Sequence, residues 1–146
     1  MEPEKIEKNS AFKSFLKYDD CIISYSGIYN DFQDDIVNLL CEDYEVGNEQ
    51  GWNSGGYPEQ WIKISLKEPE QIEELWLKVN ISPNCTVNYT IEAELRDKSI
   101  KKIERSEFHE SGETITIPIN SEIRSVKITT TKSESWVAWS RILLVK

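Results

Sequence analysis

The feature that most constrains this chain's fold is an alternation of apolar and polar residues with a period of two. In Val87–Leu95, apolar side chains at every second position alternate with asparagine, threonine and glutamate. An extended strand sends successive side chains to opposite faces, so this period predicts a strand with one buried and one solvated face. The other segments that show it, some of them weakly, are Ile22–Tyr25, Ile62–Leu66, Ile72–Val79, Ile100–Ile103, Ile115–Ile119, Val126–Ile128 and Val137–Val145.

About eight short strands with turns between them predict an all-β protein, either a sandwich or a barrel. Turn-forming residues stand between the strands, for example at Ser82–Asn84, Arg96–Lys98 and Ser111–Gly112. The length of 146 residues corresponds to one domain with a substantial core. Between the strands, only Asp31–Cys41 has the apolar spacing of a helical turn.

Residues 1–20 differ from the rest, since they are polar and charged apart from a short apolar cluster. Within it, Phe12, Phe15 and Leu16 have helical spacing, which predicts either a short amphipathic helix or a loosely docked tail. We therefore divide the chain into an N-terminal extension, residues 1–20, and a β-domain, residues 21–146. The N-terminus has no apolar stretch of the kind found in secretory signal peptides, so a cytoplasmic location is expected if Met1 is the native start.

The charge balance limits the partners. There are 26 acidic against 17 basic residues, for a net charge of −9. An acidic protein repels phosphate groups, so nucleic acids and anionic membranes are not expected as partners. No apolar run approaches the roughly 20 residues of a membrane-spanning helix, so membrane insertion is not expected either.

The residue types needed for common catalytic and metal sites are scarce. The chain has three cysteines without a Cys-x-x-Cys pair, and His109 is its single histidine. A zinc site is therefore not expected. The three thiols are instead expected to be free and mostly buried. The chain also lacks Gly-x-Ser-x-Gly and a phosphate-binding loop motif, so we predict binding rather than catalysis, without a cofactor.

Several short motifs, taken in order, resemble one known family. They are Gly51–Ser54, Trp61–Leu66, Ile72–Leu75, Tyr89–Glu92, Arg96–Lys98, Arg124–Ile128, Ser135–Trp136 and Ile142–Val145. This series resembles the discoidin domain, also called the coagulation factor V/VIII C-type domain, of the galactose-binding-like superfamily. It is also similar to the family 32 carbohydrate-binding modules and to small intracellular adaptors of the same fold. The resemblance covers residues 21–146 and implies an antiparallel jelly-roll β-sandwich.

The resemblance also bears on calcium. In many of these relatives, loop carbonyls and an acidic residue before the isoleucine of the final strand bind calcium. Here that position is Arg141, a cation. Calcium needs six to eight oxygen ligands, usually with a carboxylate among them. A calcium site is therefore not expected, and Asp43 and Glu45 are the weak candidates that are left.

The resemblance implies that a ligand binds to loops at one end of the sandwich, here residues 28–35, 43–57, 80–86 and 132–136. The candidate ligand-binding residues in these loops are Tyr29, Asn30, Asn53, Tyr57, Asn84, Lys132, Glu134 and Trp136. Aromatic rings stack on the apolar face of a sugar, and amides and carboxylates bind its hydroxyl groups. Each ring also has a structural interpretation. Trp136 is either a stacking platform for the ligand or a cap on the core. Tyr57 either contacts the ligand or packs within its loop.

The remaining tryptophans are interpreted as scaffold. Trp52 and Trp61 are expected to bury their rings in the core, and Trp139 is expected to pack on the face opposite Trp136. The sequence thus predicts a non-catalytic binding module whose ligand is most simply a carbohydrate. The alternative is an intracellular adaptor that binds a protein partner through the same loops or through a sheet face.

Overall fold

The computed structural model describes residues 14–41 and 51–146, and most of this part is antiparallel β-sheet. Two 3₁₀ segments, Tyr18–Asp20 and Asn30–Asn38, flank the first strand. The strands are β1 (Cys21–Tyr25), β2 (Trp52–Asn53), β3 (Gln60–Val79), β4 (Cys85–Leu95), β5 (Ile100–His109), β6 (Thr114–Lys132) and β7 (Ala138–Val145). Among these residues, no helix has the length and apolar character needed to cross a bilayer.

The strands form two layers that share β3 and β6. The first half of β3 pairs with β1 and with the second half of β6, which continues to β4 and β5. The second half of β3 pairs with the first half of β6 and with β7, which continues to β2. Register shifts between Ser65 and Glu70 and between Ile72 and Glu74 mark the passage of β3 from one layer to the other. The predicted antiparallel jelly-roll sandwich is confirmed.

The strand count differs from the sequence prediction for a physical reason. Ile62–Leu66 and Ile72–Val79 were expected to be separate strands, but they are the two halves of β3. Ile115–Ile119 and Val126–Ile128 are likewise both in β6. The polar residues between the halves lie where the strand passes between layers, and they stay within the strand instead of ending it. With the short β2 added, the described residues form seven strands rather than about eight.

The core follows the predicted alternation. Ile62 and Ile64 from the first half of β3 and Leu75 and Leu77 from its second half are fully buried. Strand β7 is an exception, because all of its residues are buried. The edge of β7 is covered by neighbouring segments, and the N–H of Ile142, for example, donates to the carbonyl of Leu39 at 2.9 Å.

The helical turn predicted for Asp31–Cys41 is confirmed by the 3₁₀ segment Asn30–Asn38. Of the N-terminal apolar cluster, for which the sequence left a short helix and a docked tail as alternatives, the described residues Phe15 and Leu16 are not helical; Phe12 lies outside the described residues. The N–H of Leu16 donates to the carbonyl of Leu144 at 2.9 Å, and its side chain is buried. Phe15 forms an antiparallel bridge with Val145, so residues 15 and 16 both pair with β7.

The two tryptophans expected in the core have different environments. Trp52 is completely buried, and its Nε1 donates to the carbonyl of Gly27 at 2.8 Å, as predicted. Trp61 is half-buried on the outer face of the first layer, with the Lys127 ammonium 4.8 Å from its ring centroid. The prediction for Trp61 was wrong because its neighbour Ile62 occupies the core-facing position, and the period of two turns Trp61 outward.

The three free thiols differ in exposure, and this predicts their reactivity. Cys85 is buried, Cys21 is half-buried and Cys41 is exposed, so they are not mostly buried as predicted. Burial, together with the nearby Asp20 carboxylate, raises the pKa of Cys21 from 9.0 to about 11. That rise lowers its thiolate fraction at pH 8 by about 100-fold, and the thiolate is the reactive form.

We therefore expect iodoacetamide at pH 8 to modify Cys41 first, with Cys21 and Cys85 unmodified in the folded protein. Peptide mass spectrometry over a time course measures the order. In denaturant, all three should react at similar rates, which provides the control. Equal labelling of Cys21 and Cys41 in the native protein would contradict the assigned environments.

Candidate functional site

A depression of about 320 Å³ lies where three loops meet. One loop joins β2 to β3, the second follows β3, and the third joins β6 to β7. The lining residues are Asn53, Tyr57, Asn80, Ile81, Ser82, Ser135 and Trp136. Three of the predicted site residues, Asn53, Tyr57 and Trp136, are therefore brought together here.

Two aromatic rings are exposed at this depression. Tyr57 is 61% exposed and Trp136 is 37% exposed, although most large apolar side chains of the described residues are buried. Part of the Trp136 surface is covered by Tyr29, whose ring packs edge-to-face at a centroid distance of 5.3 Å. Tyr29 therefore packs against Trp136 but does not line the depression itself. The Trp136 ring is thus packed against Tyr29 and remains partly exposed.

The loop between β2 and β3 is held in shape by its own hydrogen bonds. The Asn53 side-chain oxygen accepts from the N–H of Gly55 at 2.9 Å. Gly55 has a φ of +79°, a conformation that favours glycine, and a Cβ there would lie 3.5 Å from Tyr29. The Asn53 carbonyl accepts from the N–H of Tyr29 at 2.7 Å. Because its Oδ1 is occupied, Asn53 offers a ligand mainly its amide N–H groups.

The segment that carries Trp136 is fixed to both neighbouring loops. The N–H of Val137 donates to the carbonyl of Gly56 at 2.8 Å, and the N–H of Ser54 donates to the carbonyl of Val137 at 2.9 Å. On the other side, the buried Ser135 hydroxyl accepts from the N–H of Ser82 at 3.0 Å. These bonds set the position of the Trp136 ring relative to Asn53 and Tyr57.

The other predicted site residues lie elsewhere. Lys132 and Glu134 line a neighbouring depression of about 280 Å³ together with Thr86, Asn88, Ser106 and Ser133. The Asn84 side-chain oxygen accepts from the N–H of Ser111 at 3.0 Å, so it joins two loops. Asn30 is exposed at the start of the second 3₁₀ segment. The structure thus separates these four residues from the depression beside Trp136.

Sequence reasoning missed Asn80, Ile81, Ser82 and Ser135. Ser135 stands in the Ser-Trp motif, so its position beside Trp136 was a usable signal. Ser82 was interpreted as a turn residue, and its contribution depends on the bond to Ser135, which is 53 residues away in the chain. A local sequence pattern does not predict a contact between residues so far apart in the chain.

Arg141, which stands where the resemblance implies a calcium-binding acid, is buried. Its Nε donates to the carbonyl of Cys41 at 3.1 Å, and its Nη1 donates to the carbonyl of Ser140 at 2.7 Å. A guanidinium thus bonds to backbone oxygens at this place. The weak calcium candidates Asp43 and Glu45 lie outside the described residues. Within residues 14–41 and 51–146, no three His, Cys, Asp or Glu side chains form a candidate metal site.

The chemistry of the depression is that of an uncharged binding site. Its lining residues carry amide, hydroxyl, phenol and indole groups, and none of them carries a carboxylate, an imidazole or a thiol. A serine becomes a nucleophile when a general base stands beside it, and this lining supplies none. The arrangement therefore suits the binding of a polar, uncharged molecule that also has an apolar face.

Comparison with solved structures identifies the fold. A family 32 carbohydrate-binding module from Clostridium perfringens NanJ, solved in complex with galactose, superposes with a TM-score of 0.68 at 14% identity, covering 92% of this chain and all (100%) of that one. The fold is that of the family 32 carbohydrate-binding modules. The similarity extends over nearly the whole of both chains and agrees with the fold that the motif resemblance implied.

Two further modules of C. perfringens show the same similarity. CpGH89CBM32-4, in complex with GlcNAc-α-1,4-galactose, has a TM-score of 0.69 at 16% identity and covers 91% of this chain and 95% of its own. CBM32-1 of a family 31 glycoside hydrolase has a TM-score of 0.65 at 20% identity, with coverages of 87% and 94%. No protein-family model and no curated protein matches the sequence. The similarity to these modules is therefore a similarity of fold.

Proposed function

We propose that this chain is a non-catalytic carbohydrate-binding module that holds a saccharide against Trp136. The observation that carries the proposal is the pair of exposed rings, Tyr57 and Trp136, in a depression otherwise lined mainly by amide and hydroxyl groups. The C–H groups of a pyranose ring stack on an aromatic face, while its hydroxyl groups need planar amides and hydroxyls as partners. The depression offers both kinds of group in one place.

The absence of charge in the lining favours a neutral sugar. A carboxylate or phosphate on the ligand would meet no lysine or arginine among the residues that line this depression. Structural neighbours have been solved with galactose and with GalNAc-β-1,3-galactose, which are uncharged. Glycans that end in galactose or N-acetylgalactosamine are therefore the first ligands to test.

The depression also favours binding over catalysis. Glycoside hydrolysis canonically needs a pair of carboxyl groups flanking the scissile bond. The residues that line the depression supply no carboxyl group. The alternative function is an adaptor that binds a protein partner. No feature of the described part of the chain favours it over carbohydrate binding.

The test is a glycan array probed with the purified protein, once with calcium and once with a chelator. We expect binding to a subset of neutral, galactose-containing glycans. We expect equal signals in both conditions, because the depression has no carboxylate through which calcium could hold a sugar. Blank arrays in both conditions would contradict the carbohydrate function, and a chelator-sensitive signal would contradict the site chemistry.

A further inference from the structure

Within residues 14–41 and 51–146, three buried side-chain polar atoms lack a hydrogen-bond partner. They are His109 Nε2, Thr130 Oγ1 and Trp139 Nε1, which belong to β5, β6 and β7 respectively. All three residues are more than nine-tenths buried. Folded proteins pair nearly all of their buried polar groups, because an unpaired one loses its hydration without replacement. Three such atoms together therefore point to a partner that the described side chains and backbone do not supply.

The three residues line the same crevice. It has a volume of about 10 Å³, and its other walls come from apolar side chains and from the segment around Trp136. A volume of roughly 10–15 Å³ is what one water molecule needs, and a buried water normally has two to four polar partners. The size of the crevice and its polar groups thus match a single water.

We propose that one buried water molecule is a fixed part of this fold, held by His109 Nε2, Thr130 Oγ1 and Trp139 Nε1. This inference does not depend on the proposed carbohydrate function. Since β5 and β6 contribute to the first layer here and β7 belongs to the second, the water joins the two layers. It lies beneath the start of β7, directly after the loop that carries Trp136.

The three atoms offer such a water both a hydrogen-bond donor and hydrogen-bond acceptors. His109 Nδ1 is 3.0 Å from a carboxylate oxygen of Glu113. The N–H of Glu110 and the His109 ring hold the pKa of Glu113 below its usual value, so this carboxylate is ionised at neutral pH and accepts the Nδ1 proton. In the neutral ring, Nε2 is then an acceptor. The water accepts from the indole N–H of Trp139 and donates one hydrogen to His109 Nε2. The Thr130 hydroxyl can accept the second hydrogen or donate to the second lone pair of the water.

One other carboxylate lies near this ring. A Glu107 oxygen is 3.5 Å from His109 Nε2, without the geometry of a hydrogen bond. The same oxygen accepts from the phenol of Tyr89 at 3.4 Å. A carboxylate oxygen accepts hydrogen bonds, so Glu107 supplies no hydrogen to an Nε2 that is itself an acceptor.

The test uses the full chain in a crystal structure at about 1.5 Å resolution and in solution. We expect density for one water within hydrogen-bond distance, about 2.7–3.2 Å, of all three atoms. In solution, the indole N–H of Trp139 should give a nuclear Overhauser effect to a long-lived water. An empty crevice, or direct bonds among the three side chains, would overturn the inference.

A matched pair of variants supplies a second readout that does not need a crystal. Thr130→Val removes the hydroxyl at nearly constant shape, and Thr129→Val makes the same change one residue earlier, on the half-buried outer face. With the water present, we expect Thr130→Val to lower Tm by about 3 °C or more relative to Thr129→Val. Without it, removing an unpaired hydroxyl would leave Tm unchanged or raised, which would contradict the proposal.

Discussion

Replacing Trp136 by alanine is expected to abolish saccharide binding while the domain stays folded. The ring is 37% exposed and is the largest aromatic ring system among the residues that line the depression. Aromatic anchors of this kind cost about 2 kcal/mol or more when truncated, which corresponds to a loss of affinity of about 30-fold or more. Trp136→Phe should retain part of the affinity, because a smaller ring still offers a stacking face.

The measurement is titration calorimetry with the best glycan from the array, and circular dichroism reports on folding. Trp61→Ala is the matched control, since Trp61 is also partly exposed but lies on the outer sheet face beside Lys127. We expect Trp61→Ala to bind as the wild type does. Affinity retained within threefold in Trp136→Ala would show that the sugar binds elsewhere. Equal losses in both variants would point to a general effect on folding.

Replacing Trp52 by alanine is expected to cause a large loss of stability, about 3–5 kcal/mol of unfolding free energy. The ring is completely buried, and its removal leaves a cavity next to the short β2–β7 ladder, in which Trp52 pairs with Trp139. The carbonyl of Gly27 also loses the indole N–H that donates to it at 2.8 Å. Such an unpaired group adds to the cost when it is kept from water.

Urea unfolding followed by circular dichroism measures this loss. Trp52→Phe separates the two contributions, because it fills much of the cavity but still removes the N–H. We expect it to lose about 1–2 kcal/mol. Trp61→Ala again serves as the control and should lose about 1 kcal/mol, because its ring is half-buried and outside the core. Similar losses for Trp52→Ala and Trp61→Ala would contradict the assignment of Trp52 to the core.

The local alternation was sufficient to predict which faces of the strands are buried. Ile62, Ile64, Leu75 and Leu77 all point into the core, as their period of two requires. The continuity of β3 was not predictable in the same way. Where a strand passes between layers, both of its faces meet solvent, so residues 67–70 have the polar character of a turn although they are extended.

The candidate site was predictable in part for a related reason. Tyr57 and Trp136 stand out because large rings in polar loops have few structural explanations, and both do line the depression. Asn84, Lys132 and Glu134 belong to the same loops by sequence but face elsewhere. The direction of a loop side chain depends on distant bonds, such as the one between Asn84 and Ser111, and a local sequence pattern does not contain them.

The sharing of β3 and β6 between the layers has a consequence for how a ligand acts on the protein. Strands β3 and β6 pair with each other in both layers, so separating the strands of one layer also disturbs the other. We therefore expect the sandwich to unfold as one cooperative unit. Each loop at the candidate site is attached to β3 or β6 at one of its ends. We therefore expect a ligand that binds these loops to stabilise the whole domain against unfolding by its binding free energy.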